Sequence, residues 1–135
     1  MSRERISVAV AETPSVLFAT LFGSRAAGRA RADSDWDLAI YLDDTLDPRE
    51  RERIRSRLIA TLEPGIRVDV VILNDAPALL ARRALDGERI VVHDRRAWVR
   101  FFVRTLAAAG DEAFWQDLHA RARERRLSEG RFGRP

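Results

Sequence analysis

Cysteine is absent from this 135-residue chain. That excludes a disulfide framework, a thiolate metal site and a cysteine nucleophile. Lysine is absent as well, so every basic side chain is an arginine; codon usage in a GC-rich genome is the default explanation. The net charge is only +3, which argues against direct nucleic-acid binding as the main activity. No apolar run approaches the length of a membrane span, and Met1 to Arg5 lacks a basic-then-apolar leader pattern. The expectation is a cytoplasmic protein with no membrane partner.

Against these absences stand 46% hydrophobic and 33% charged residues, enough for one core under a well-solvated surface. The length suits a single domain. Ser2 to Glu12 reads as a short opening helix broken by Pro14. Val16 to Phe22 is a buried strand, and Arg25 to Arg29 a helical turn ending at Gly28. From Asp35 to Leu42 the sequence alternates. Asp35, Asp37, Ala39 and Tyr41 share one side, and Trp36, Leu38, Ile40 and Leu42 the other. Asp47-Pro48 opens a helix with Asp as cap and Pro in the first turn, striped by Ile54, Leu58, Ile59 and Leu62 and ended by Glu63-Pro64-Gly65. Arg67 to Leu73 is a third strand, a helix runs from Asp75-Ala76-Pro77 to near Gly87, and Arg89 to Val92 is a fourth strand. Arg95 to Ala109 and Glu112 to about Arg123 read as two helices joined at Gly110-Asp111.

The order predicts an α/β (α+β) domain over 1–123. Its small mixed sheet of about four strands is flanked by helices and covered mainly on one face. Residues 124–135 read as a basic, flexible tail. Arg121 to Pro135 carries six arginines and two glutamates, a solvated end by default and a partner-docking or RNA-contacting one as the alternative.

Three pieces carry candidate chemistry. Gly23-Ser24 sits where a strand meets a helical turn. Glycine allows close backbone approach, and amides at a helix start and a serine hydroxyl both favour a phosphate; alone, the pair is usually just a turn. Asp35 and Asp37, two apart on a strand, point to one side and suit a hard cation such as magnesium. Without a cation, two like charges beside a core are unfavourable. The alternative is a solvated strand end. Asp69 lies within Val68-Asp69-Val70-Val71-Ile72-Leu73, where burying a lone acid would be costly. It reads as either the third member of a carboxylate cage or a salt-bridge partner of Arg67 or Arg25.

Together, Leu21-Phe22-Gly23-Ser24-Arg25-Ala26-Ala27-Gly28, then Ser34-Asp35-Trp36-Asp37-Leu38-Ala39, then Val68-Asp69-Val70-Val71-Ile72-Leu73-Asn74, resemble the minimal nucleotidyltransferases of the polymerase-β-like superfamily. Within these the chain is most similar to the MntA-type antitoxins paired with HEPN-domain toxins. The resemblance covers roughly Val16 to Phe102. It implies that Gly23 and Ser24 hold the triphosphate of ATP. Arg25 and Arg29 flank that turn and are candidates for a further triphosphate contact, Arg25 before Arg29, with chance placement on an arginine-rich surface as the alternative. It implies that Asp35 and Asp37 bind two magnesium ions, and that Asp69 completes the metal site and helps deprotonate the attacking hydroxyl. It also implies a magnesium-dependent adenylyltransferase that moves AMP from ATP onto a tyrosine of a HEPN-domain RNase toxin and so silences it. Two alternatives are transfer to a small-molecule hydroxyl, such as that of an antibiotic, and a non-catalytic module that neutralises a toxin by contact.

Other residues read as structural. His93 and His119 show no metal spacing, Trp36 belongs to the core side of its strand, and Trp98, Phe101 and Phe102 read as core or partner-facing.

Overall fold

A computed structural model describes residues 2–26, 28 and 35–128. Its elements are α1 (Ser2–Ala11), β1 (Val16–Phe22), α2 (Gly23–Ala26), β2 (Trp36–Leu42), α3 (Pro48–Leu62), β3 (Val68–Ile72), α4 (Ala78–Leu85), β4 (Glu88–Val92) and α5 (Arg95–Ser128). The strands form one mixed sheet in the order β3-β2-β1-β4. β1 runs antiparallel to both β2 and β4, while β2 and β3 are parallel. α3 supplies the crossover that a parallel pair requires. It starts as its sequence dictates: Asp47 accepts the Glu50 amide at 2.9 Å and Pro48 occupies the first turn.

The expectation of a sheet covered mainly on one face does not hold. Both faces are covered, because β1 and β2 are apolar on both sides. Leu21, Leu38 and Ile40 pack with Ile6 and Val10 of α1 and Leu58 and Leu62 of α3. On the other face Phe18, Ala39 and Tyr41 pack with Ala84 of α4 and Trp98 and Phe101 of α5. Phe18 is the hub of that second layer. It stacks on Tyr41 at 5.1 Å and meets Trp98 edge-on at 5.1 Å and Phe101 at 5.3 Å.

The two expected C-terminal helices are one. α5 runs unbroken through Gly110, which has no left-handed φ and whose missing Cβ would meet no neighbour. A glycine inside a helix costs about 1 kcal/mol relative to alanine, too little to end a helix that contains no proline. The helical turn expected at Arg25 to Arg29 begins two residues earlier, at Gly23, and Gly28 closes it with φ +72. Arg29, Ser34 and the end of the basic tail, 129–135, lie outside the described residues.

Side chains pin the β2–β3 pair at both ends. The Trp36 amide donates to the Arg67 carbonyl at 2.9 Å, and the Arg67 guanidinium donates to Asp35 Oδ1 at 2.9 Å. At the far end Asn74 accepts the Leu42 amide at 3.0 Å and donates to the Leu42 carbonyl at 2.7 Å. On the free side of β3, Arg55 Nε donates to the Val70 carbonyl at 2.7 Å. His93 serves the frame as expected, its Nδ1 lying 2.8 Å from the Val16 carbonyl.

Phe18→Ala should destabilise the protein by about 3–5 kcal/mol, because the ring is fully buried and packs against rings from β2 and α5. Urea unfolding followed by circular dichroism measures it. A loss near 1 kcal/mol or less would show that the aromatic layer is not a rigid core.

Candidate functional site

The site forms where the first residues of β2 and β3 meet the end of β1. In the parallel β2–β3 register Asp37 lies opposite Asp69, and in the antiparallel β1–β2 register it lies opposite Phe22. Paired residues point to the same face of a sheet, so the two carboxylates emerge together, on the face that further along holds Ala39 and Tyr41. Gly23 follows Phe22 directly. Its φ is +79, and a Cβ built there would fall on Asp37 Oδ2. Only glycine lets the turn after β1 close over this carboxylate without strain.

A cavity of about 880 Å³ opens here, lined by Gly23, Asp37, Asp69, Arg83, Asp86 and Glu88 among others. Asp37 is half-buried and its pKa is raised. Burial is the main cause, followed by the charge of Asp69 and then that of Asp35. Asp69 is exposed toward the cavity, so the expected cost of burying it does not arise. The salt bridge considered for it is absent among the described residues. Arg67 instead pairs with Asp35, and both side chains are largely exposed, so the ion pair is weak and easily exchanged.

Asp37 and Asp69 are thus brought together, while Asp35 stands to one side on Arg67. Among the described residues no three such side chains are gathered into a preformed metal cage. The donor chemistry nevertheless fits a hard divalent cation. The donors are carboxylate oxygens, and the burial and neighbouring carboxylates that raise the pKa of Asp37 make its charge one that a cation would stabilise. Gly23 lines the cavity through its main chain. The Ser24 side chain lies outside what the structure describes. The Arg25 guanidinium sits over the Trp36 ring, 5.1 Å from its centroid. Trp36 packs against the core on the opposite face, as its alternation predicts.

Arg83 is the residue that sequence reasoning missed. It reaches the cavity from α4. Asp86 pairs with Arg82 at 3.5 Å and Glu88 with Arg3. Among the described residues Arg83 has no carboxylate partner, and so presents its charge to whatever enters. Its only sequence signal was its place on the α4 face away from Ala81, Ala84 and Leu85. His119 lies beside Trp115, with ring centroids 6.3 Å apart.

A family model described as polymerase beta, nucleotidyltransferase, matches residues 4–96. No curated protein matches the chain. Several solved structures share the fold. One is a Tyr-to-Ala variant of an MntA toxin–antitoxin complex, at 25% identity and TM-score 0.59, covering 93% of this chain and 94% of the other. A second is a toxin–antitoxin complex with AMP-PNP, at 24% identity and TM-score 0.62, covering 96% and 98%. A third is a tri-AMPylated Shewanella oneidensis HEPN toxin in complex with its MNT antitoxin, at 22% identity and TM-score 0.55, covering 95% and 94%.

The raised pKa of Asp37 sets a sign for stability. Its folded-state pKa lies above the unfolded value, so the folded protein holds the proton more tightly. Stability therefore falls as pH rises through that range. Asp37→Asn removes the charge and keeps the shape. In chelator the variant should melt above wild type at neutral pH, and the gap should close as pH falls below the ordinary aspartate value of 3.8. Thermal melts over a pH series check this; coincident curves at every pH would contradict the electrostatic account of the site.

Proposed function

The chain belongs to the polymerase-β nucleotidyltransferase family, and from that premise we propose that it is an antitoxin acting as a protein adenylyltransferase. In this reading it moves AMP from ATP onto a tyrosine hydroxyl of a HEPN-domain toxin. The observation that carries the catalytic part is the Asp37–Asp69 pair, held in register across two strands under Gly23 at the mouth of a cavity. The partner is suggested by the toxin–antitoxin complexes that share the fold, one with AMP-PNP and one with an AMPylated toxin.

The acceptor oxygen attacks the α-phosphorus in line, the bond to the bridging oxygen of the β-phosphate breaks, and pyrophosphate leaves. Asp37 and Asp69, joined by Asp35 released from Arg67, would hold magnesium, which supplies positive charge to the entering and leaving oxygens. Asp69, the more exposed of the facing pair, takes the acceptor proton. Gly23 lets the backbone approach the triphosphate, Ser24 donates a hydroxyl hydrogen bond, and Arg83 balances phosphate charge from the opposite wall.

The test incubates the protein with a purified HEPN-domain toxin, magnesium and ATP labelled at the α-phosphate. Tyrosine-linked AMP is then located by mass spectrometry. Asp37→Asn and Asp69→Asn should reduce labelling to background while remaining folded. Ser24→Ala should lose one hydrogen bond, about 1 kcal/mol or roughly fivefold in rate. Labelling of an added aminoglycoside but not of the toxin would favour the small-molecule alternative, and transfer at wild-type rate by Asp69→Asn would remove that residue from the mechanism.

A further inference from the structure

α5 covers the core with Trp98, Phe101 and Thr105 and leaves a second apolar strip in the open. Val99, Phe102, Val103 and Leu106 recur at helical spacing and are 49%, 40%, 60% and 36% exposed. This strip does not stand apart from the site. A hollow of about 430 Å³, lined by Leu85, Gly87, Arg89, Trp98, Val99 and Phe102, shares Gly87 with the cavity that holds Asp37 and Asp69. Beside it, Arg95, Arg96, Val99 and Arg100 frame a further hollow of about 560 Å³. Arg89 lies over the Trp98 ring at 5.0 Å and forms the near rim.

The charge of this surface is one-sided. Arg89, Arg95, Arg96 and Arg100 line the two hollows, and among the described residues no acidic one lines either of them. An apolar strip edged with arginine matches an amphipathic segment whose polar side is acidic. Its continuity with the cavity means that a segment seated along α5 would reach the aspartates by passing Gly87. A Cβ on Gly87 would fall on the Leu21 carbonyl, so the turn is also fixed against β1.

We infer that the Arg89–Trp98–Phe102 groove of α5 is the acceptor-docking surface, and that its occupant is an acidic amphipathic protein segment carrying the hydroxyl to be modified. This rests on the reading of the chain as a protein-modifying transferase, and it adds the chemistry by which the protein acceptor is chosen.

The probe is a fluorescein-labelled random copolymer of glutamate and tyrosine, with a copolymer of lysine and tyrosine as its opposite. Fluorescence anisotropy measures binding to the full chain without requiring transfer. Wild type should bind the acidic copolymer, more weakly as salt rises, and should not bind the basic one. The triple variant Arg95→Glu, Arg96→Glu, Arg100→Glu should lose about tenfold or more in affinity. Val99→Ser with Phe102→Ser should also weaken binding. A charge-matched control on α3 (Arg49→Glu, Arg53→Glu, Arg57→Glu) should bind as wild type does. Equal binding by the α5 variants, an equal loss in the α3 control, or tighter binding of a single-stranded RNA oligomer would overturn the proposal. AMP transfer to a purified HEPN-domain toxin is scored separately. Loss of copolymer affinity in the α5 variants with no labelling of the toxin by wild type would refute tyrosine transfer while leaving the groove standing as a binding surface.

Discussion

The parallel register of β2 and β3 is the constraint on which the site depends. Side chains alternate with a period of two, so a slip of one residue would turn Asp69 toward the Leu38 face and set a valine opposite Asp37. Nothing in the aspartates favours their own juxtaposition; the charge of Asp69 adds to burial in raising the pKa of Asp37. The pairing is imposed from elsewhere, by Arg67 at one end, Asn74 at the other, and the apolar residues between them. A site built from mutually repelling groups needs such a frame, because left to themselves the carboxylates would separate into water.

The same face of the sheet changes character along its length. Near the cavity it carries Asp37 and Asp69; one or two steps along, it carries Ala39 and Tyr41 under the aromatic layer of α4 and α5. The rigid layer and the charged end therefore share strands, and any loosening around Phe18 would be felt at Asp37 through β1 and β2. Gly23 sits at this junction. It removes the side chain that would otherwise separate the turn from the carboxylate it covers.

Much of this was legible in the sequence, element by element. β1 is the run from Val16 to Phe22, the alternation from Asp35 correctly divides β2 between its two faces, and Asp47-Pro48 marks the start of α3, because these signals are local. What was not legible depends on partners distant in sequence. Asp69 looked like a costly acid in an apolar strand, yet it is exposed, because alternation does not say where a sheet ends. Arg67 was weighed as a partner for Asp69 and pairs with Asp35 instead, a choice made by strand ends meeting in space. Arg83 is one arginine among many until α4 is placed over the cavity. The break expected at Gly110 overstated a glycine that a helix tolerates, and the covering of both sheet faces follows from β1 being apolar throughout.

The hydrogen bond from Arg55 to Val70 has a consequence for how the molecule meets its own copies. Just before and just after β3, Arg67 and Leu73 bond inward to β2. By alternation the Val70 carbonyl faces outward, along the unpaired border of the sheet. Such a border is a template for another chain's strand, and long flat ones invite fibrous association. Here a guanidinium from α3 already occupies a central acceptor of a strand only five residues long. An incoming strand would have to displace that bond and bury the arginine's charge against its own backbone. The sheet is thereby kept at four strands on this side, by a residue with no part in the chemistry.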